Sequence, residues 1–320
     1  MYNVSISPHV RDKSSTKKIM LDVAIALVPT LGFGVYRFGL NALMLILVSV
    51  ASCVAFEAGY EFLAKKPITV FDFSAVVTGM IIAVNLPPTA TWWMAVLGSA
   101  FAIVVTKMFF GGLGQNFMNP ALAGRCFLMI SFTQRMTNFA VDATSSATPL
   151  ALMREGKSTA LLDLFIGNHA GCIGEVSAAA ILVGALYLLI KKVISLRIPC
   201  TYILSTVAII AVIRLIQGEG FDAEYLLAQA LSGGLLVGAF FMATDYVTSP
   251  ITKSGQVVFA LVLGLLTALF RTLGSTAEGV SYAIIIGNLL VPIIEKLTVP
   301  LPFGSERKVL KKLREGKNNG

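Results

Sequence analysis

The stretch Asp142-Ala-Thr-Ser-Ser-Ala-Thr148-Pro-Leu150 is polar and built of small residues in a chain that is otherwise strongly apolar, and it ends on a hydroxyl open to covalent modification. Pro149 disfavours the α conformation at the residue before it, which predicts an extended Thr148. Ser145, Ser146 and Ala147 keep the neighbouring backbone open to an approaching partner. A modification site needs both properties. A Thr-Pro step in a Ser/Ala run also occurs in ordinary loops, and these residues alone leave both readings open.

A second group of residues draws notice by charge. Asp22, Glu57, Asp72, Lys107, Arg125, Asp245 and Glu278 fall within or beside apolar segments, where a buried charge costs at least about 2.5–3.5 kcal/mol. Asp22 and Lys107 lie near expected span ends, and the simpler reading is that they snorkel or cap. Asp72 follows the basic turn Lys65-Lys66 and is placed to cap the helix after it. Asp245 sits among Thr244, Thr248 and Ser249, whose oxygens suit a hard cation or a proton-carrying carboxylate; a plain helix cap would use the same residues. With Asp72 and Glu278 it forms the set of candidate ion-pathway residues. Arg125 follows an Asn-Pro step and is free to pair with a carboxylate, a cofactor carbonyl or a neighbouring subunit. Cys53, Cys126, Cys172 and Cys200 are scattered without a C-x-x-C pair, so neither a zinc nor an iron-sulfur site is indicated and inert thiols are expected.

The elements that must hold these residues are read from composition. Hydrophobic residues make up 56% of the chain and charged ones 13%, against about 25% charged in a soluble domain, and the mean hydropathy is +0.81. This is an integral membrane protein. The net charge of +8 resides in short loops and a tail, where membrane orientation explains it better than nucleic-acid binding. Residues 1–18 are polar and basic and lack the apolar core and cleavage site of a signal peptide, so the first span is expected to be retained.

Windows of about 20 residues give ten helices, near 19–36, 40–63, 72–87, 91–110, 119–132, 174–190, 199–216, 225–243, 256–272 and 279–297. The third and fifth are short and interrupted by Pro or Gly. The expected organisation is a basic N-terminus (1–18), a first five-helix repeat (19–132), a polar loop with Thr148 (133–173), a second five-helix repeat (174–297) and a basic tail (298–320). Arg11, Lys13, Lys17, Lys18, Lys65, Lys66, Lys191, Lys192, Arg197 and the tail collect on one side, which places both termini in the cytoplasm and the Thr148 loop outside.

The halves look like diverged copies. Pro88 and Pro250 are 162 residues apart, as are Gly112 and Gly274, and Asn119 and Asn288 follow each glycine. Five helices per half is an odd number, so the halves enter the membrane in opposite senses as an inverted repeat. The expected fold is therefore an all-α integral membrane protein with about ten transmembrane helices in two inverted five-helix repeats. Broken helices in such a fold hold polar ligands near the midplane. Asn85-Leu-Pro-Pro88 and Asp245 to Pro250 form one matched pair of breaks, and Gly111 to Pro120 with Gly274 to Gly279 the other. Ordinary interhelical turns would use the same residues.

Gly112-Leu-Gly-Gln-Asn-Phe-Met-Asn-Pro-Ala121, Phe241-Met-Ala-Thr-Asp-Tyr-Val-Thr-Ser-Pro250 and the Asp142 to Leu150 loop, in that order, carry a resemblance over essentially the whole chain. The chain resembles the D subunits of Rnf electron-transport complexes and is similar to the B subunits of sodium-pumping NADH:quinone oxidoreductases. The resemblance implies a Ser-Gly-Ala-Thr segment whose Thr carries FMN through a phosphoester, matched here by Ser145-Ser146-Ala147-Thr148, with Ser146 where the family has Gly. It further implies a noncovalent riboflavin, a flavin transferase that uses FAD, the A, B, C, E and G subunits of an Rnf complex as partners, and coupling of ferredoxin:NAD electron transfer to sodium or proton transport in the cell inner membrane. The chemistry agrees on the transferase: a Thr hydroxyl is a weak nucleophile without a base, and neither His9 nor His169 is near it in sequence. A solute channel or carrier without a redox role is the alternative from another class, because fold alone does not decide function.

Overall fold

The computed structural model describes residues 15–141, 144–145, 147–157, 159–218, 220–274 and 279–300, with the backbone only at 140, 141, 144 and 145. Ser146 and Glu278 lie outside the described residues, as do the basic residues before Ser15 and the tail from 301.

The described chain is helical apart from a two-residue antiparallel ladder pairing Ala140 with Ser145 and Val141 with Thr144. The first half holds α1 (Thr16–Phe38), α2 (Leu40–Leu63), α3 (Ser74–Val84), α4 (Trp92–Met108) and α5 (Pro120–Ser131). The connecting segment holds α6 (Thr133–Met136), α7 (Pro149–Arg154) and α8 (Leu161–Ile166). The second half holds α9 (Ala178–Ile190), α10 (Arg197–Gln217), α11 (Ala223–Leu231), α12 (Leu235–Met242), α13 (Lys253–Leu273) and α14 (Val280–Thr298).

Five helices, α1, α2, α10, α13 and α14, are long and apolar enough to cross a membrane, and α11 with α12 makes a sixth if that bent pair is one span. The shorter apolar helices are α3, α4, α5 and α9. At a rise of about 1.5 Å per residue the 11-residue α3 covers about 16 Å, half of the hydrocarbon thickness. Almost all of α3 is buried, between α1, α2, α4 and α5. Its approach to α2 is so close that a Cβ on Gly79 would lie 2.6 Å from the Val50 Cα.

The expected helices near 72–87 and 174–190 are shorter, at Ser74–Val84 and Ala178–Ile190, and the eighth is interrupted. The segment near 225–243 is not continuous, because α11 and α12 meet at 60° across Ser232-Gly233-Gly234. Gly233 and Gly234 have φ of 68° and 66°, a left-handed pair that a β-carbon disfavours, and this ends the helix where apolar patterning alone continues it.

α4 ends as a wide π turn over Phe101–Met108 and α12 is π-wound over Gly238–Met242. Both deform next to the polar residues described below, as such turns commonly do.

Candidate functional site

The break after α3 shows how the bundle satisfies freed backbone. Pro87 and Pro88 cannot continue the helix, so carbonyls at its end lose their helical partners. The segment before α9 folds back to supply donors: Gly174 N donates to Val84 O at 3.0 Å and Ile173 N to Leu86 O at 3.0 Å. Asn85 Nδ2 donates to Ile81 O at 2.7 Å. Arg125 on α5 then donates to Asn85 Oδ1 at 2.5 Å and to Cys172 Sγ at 3.7 Å. Arg125 is thus turned inward, tying α5 to the end of α3 and to the loop before α9.

The matching break after α12 is tied across the halves. Asn119 caps α5 by accepting from Ala121 N and Leu122 N, while its Nδ2 donates to Met242 O at 3.4 Å. With the Asn288 amide in the orientation its neighbours require, its nitrogen donates to Thr248 O at 3.1 Å and its oxygen accepts from Asn119 N at 3.1 Å. The two asparagines, each following the matched glycine of its half at a different distance, therefore meet in space. Asp245 accepts from Thr248 Oγ1 at 3.0 Å and Val247 N at 3.5 Å, and Thr244 bonds back to Phe240 O. These local bonds give Asp245 the geometry of a turn cap.

Asp72 accepts from Ser74 N at 2.8 Å and Ser74 Oγ at 2.5 Å; it holds the first residue of α3 from a short 3-10 turn, while the N-cap position itself is Phe73. Asp22 and Lys107 do not snorkel. Asp22 accepts from the Tyr187 hydroxyl of α9 at 2.8 Å. Lys107 is 2% exposed and points into the protein, donating to Glu57 Oε2 and to Ser74 Oγ, each at 2.6 Å. Sequence position near a helix end suggests an escape to water; the carboxylate on α2 captures the ammonium instead.

Two clefts open at opposite ends of the bundle. One, of about 800 Å³ counting its mouth, is lined by residues that include Ser74, Lys107, Asn116, Asn119, Phe241 and Asp245. The other, of about 1310 Å³ on the same measure, is lined by residues that include Arg154, Lys157, Arg214, Asp222, Tyr225 and Arg271. The first lies before the start of α13 and the second at its C-terminal end, so the 21-residue α13 separates them by about 30 Å.

Thr148 belongs to the second end. It has φ −65° and ψ 155°, the extended geometry expected before Pro149, and its Oγ1 accepts from Ala151 N at 3.4 Å. α7 is pinned by Arg154, which donates to the carbonyls of Phe270, Arg271 and Gly274 at 3.3, 2.7 and 3.0 Å. Leu150 and Met153 are buried against Leu164 and Ala228, and Leu150 abuts Gly233 at the α11–α12 bend. Arg271 donates to the carbonyls of Gln229, Ser232 and Gly233 at 2.6, 2.9 and 3.1 Å. The guanidinium of Arg214 lies 3.9 Å from the Tyr225 ring centroid. Sequence order hides this concentration of arginine, because its members come from α7, α10 and α13 and converge only on folding. In the loop before α9, His169 sets Nδ1 against Ala170 O at 3.0 Å, and burial holds its imidazole below the ordinary histidine value.

The family described as NQR2, RnfD, RnfE matches residues 3–304. The D subunit of a Na(+)-translocating ferredoxin:NAD(+) oxidoreductase complex from Acetobacterium woodii is 48% identical, covering 94% of this chain and 95% of the relative. The D subunit of a proton-translocating ferredoxin:NAD(+) oxidoreductase complex from Clostridium ljungdahlii is 40% identical, covering 96% and 97%. The D subunit of an ion-translocating oxidoreductase complex from Stutzerimonas stutzeri is 37% identical, covering 91% and 93%. With a family match across nearly its whole length and relatives of this identity over more than nine-tenths of it, the chain belongs to the NQR2, RnfD, RnfE family.

Proposed function

We propose that the chain is the D subunit of an ion-translocating ferredoxin:NAD oxidoreductase complex, carrying electrons through FMN esterified to Thr148 and coupling them to sodium or proton transport. The observation that carries the flavin assignment is Thr148 itself: an extended hydroxyl residue before proline that caps α7, whose far end, Met153 and Arg154, lines the second cleft with Lys157, Arg214 and Arg271. A phosphodiester is anionic, and these four cations outnumber the two carboxylates that line the same cleft, Asp222 and Glu224. Ala147 is exposed, which leaves the acceptor segment open to a separate flavin transferase. Bound there, the flavin supplies the electron-carrying chemistry while the chain fixes its position and surroundings.

The noncovalent riboflavin has a fitting place in the first cleft. Its walls are mostly apolar and carry a few polar groups, Thr78, Asn116, Asn119 and Asp245, the mixture that orients a small polar ring system. Asp245 and Asp72 are placed at that same end for an ion role; Glu278 lies outside the described residues.

The membrane arrangement is ten spans in two inverted halves. Helix order, the pairing of α2 with α4 and of α10 with α13, and the cross-half contacts of α1 with α9 and α5 with α14 support it. So does direction: Lys107 at the end of α4 and Asp245 before the start of α13 line one cleft, so these corresponding helices run oppositely. The start of α1 lines that cleft too, which puts the N-terminal end of the bundle across from Thr148. Basic-residue bias makes the first face cytoplasmic and the Thr148 face extracytoplasmic, in the inner membrane. The A, B, C, E and G subunits of the complex supply electron entry and exit.

Peptide mass spectrometry of the purified complex tests the assignment. The peptide containing Thr148 should carry the mass of FMN; an unmodified peptide from an active complex would refute it.

A further inference from the structure

α10 and α13 run side by side in the same sense: Arg197 Nη1 donates to Gln256 Oε1 at 3.5 Å near their starts, and Ile210 packs with Ala268 farther along. Both are long and apolar enough to cross a membrane, and each opens on a basic residue, Arg197 or Lys253. Their starts lie at the end of the bundle that holds the first cleft, which Val193, Ile194 and Val247 line.

Beyond each cation runs an exposed apolar stripe. On α10 it is Leu204 and Val212; on α13 it is Val257, Leu261 and Leu265. Steps of seven and eight residues on one helix, and of four on the other starting from Lys253, keep each set on one face.

Several basic residues at this end of the bundle have partners. Lys107 is held by Glu57 and Ser74, and Lys17, Lys66 and Lys191 lie over the rings of Phe73, Tyr60 and Tyr187 at 5.5, 5.6 and 5.6 Å. Arg197 meets the neutral Gln256, and among the described residues neither Arg197 nor Lys253 has a carboxylate at ion-pair distance. Glu295, on the adjoining end of α14, is turned instead to Ile251 N at 3.1 Å.

Two neighbouring cations at the heads of two apolar stripes complement one amphiphile, with an anionic head at the membrane interface and hydrocarbon beneath it. An acidic soluble protein would answer the cations and leave the stripes unexplained. A zwitterionic lipid would cover the stripes and leave the cations unanswered. We propose that the starts of α10 and α13 form a binding site for an anionic phospholipid, its phosphate between Arg197 and Lys253 and its acyl chains along the two stripes.

The test uses the assembled complex in vesicles, on a background without the native cysteines, with a bimane fluorophore on Leu204→Cys. That position lies about 10 Å along α10 from Arg197, at the depth of an acyl chain. Quenching by phosphatidylglycerol brominated in mid-chain is compared with quenching by phosphatidylcholine brominated in the same place. A basic residue beside an anionic headgroup contributes about fivefold, so the site should prefer phosphatidylglycerol by about 25-fold. Arg197→Gln/Lys253→Gln should abolish the preference, and Arg197→Lys/Lys253→Arg should keep it. In the wild type, an ionic strength of about 1 M, which screens charges within about 3 Å, should lower it severalfold. Equal quenching by the two lipids in the wild type, or a preference unmoved by the double Gln variant or by salt, would overturn the proposal. So would two further results: no quenching by either lipid, which would mean that a protein covers this face, and displacement of phosphatidylglycerol by inorganic phosphate, which would make it a site for soluble anions.

Discussion

Thr148→Ala separates two uses of one hydroxyl. The structure shows the hydroxyl as a cap, accepting from Ala151 N at 3.4 Å; the proposed chemistry makes it an ester oxygen. Loss of a cap costs about 0.5–2 kcal/mol, and a bond this long belongs at the low end. α7 keeps its other anchors, the three carbonyl bonds of Arg154 and the burial of Leu150 and Met153. Against domain stabilities of about 5–15 kcal/mol, the cap loss leaves the chain folded and in the membrane at its usual amount. Covalent flavin should vanish, and with it nearly all electron transfer. The assay is in-gel flavin fluorescence after denaturation, normalised to an immunoblot of the same membranes. Thr148→Ser retains both hydroxyl functions and should keep part of the signal. Fluorescence persisting in Thr148→Ala would refute the acceptor assignment and move it to Thr144, Ser145 or Ser146; disappearance of the chain itself would show that the hydroxyl is mainly structural.

On a background without the native cysteines, Lys157→Cys should react with a membrane-impermeant thiol reagent in intact cells and Lys192→Cys only after permeabilisation; the reverse pattern would invert the topology. Gly184→Ala should loosen α1 from α9, because the added Cβ would lie 2.1 Å from Ala26 O. Overpacking of this kind costs about 1–3 kcal/mol, and the temperature at which the complex dissociates should fall, whereas an unchanged midpoint would mean that the backbones are farther apart. Asp245→Asn retains the size and most of the bonding of the turn at Thr248 and Val247, so the complex should assemble with its flavin yet lose ion pumping; normal pumping in vesicles would leave Asp245 a structural cap.

Much of the helical frame is legible in sequence because apolar runs and their Pro or Gly stops are local signals. The expected helix near 40–63 coincides with α2, and those near 119–132 and 199–216 fall within two residues of α5 and α10. Asn119 and Asn288 are legible only as asparagines that follow the matched glycines of the two halves, not by equal spacing, yet they bond to each other. The extended Thr148 follows from Pro149. What escapes depends on residues distant in the chain or on backbone sign. The bend at Ser232-Gly233-Gly234 needs two consecutive positive φ angles that small residues permit without announcing. Lys107 misleads because its position near a helix end is visible in sequence, whereas Glu57 lies 50 residues away. The arginines of the second cleft are invisible as a cluster for the same reason.

Lys107 and Arg271 show how one repeat plan gives two unlike ends. Each is a basic residue near the end of a corresponding helix, α4 and α13, and each reaches the start of the half-helix before it. Arg271 is answered by carbonyls of Gln229, Ser232 and Gly233, so releasing it would leave the α11–α12 bend unsatisfied. Lys107 is answered by a side-chain carboxylate and a hydroxyl, and neither is needed for the helical ladder of α2 or α3. A guanidinium bound by backbone is an anchor, and an ammonium bound by side chains is exchangeable. The difference in partners therefore makes the Lys107 contact the exchangeable one and the Arg271 contact a fixed support of the α11–α12 bend.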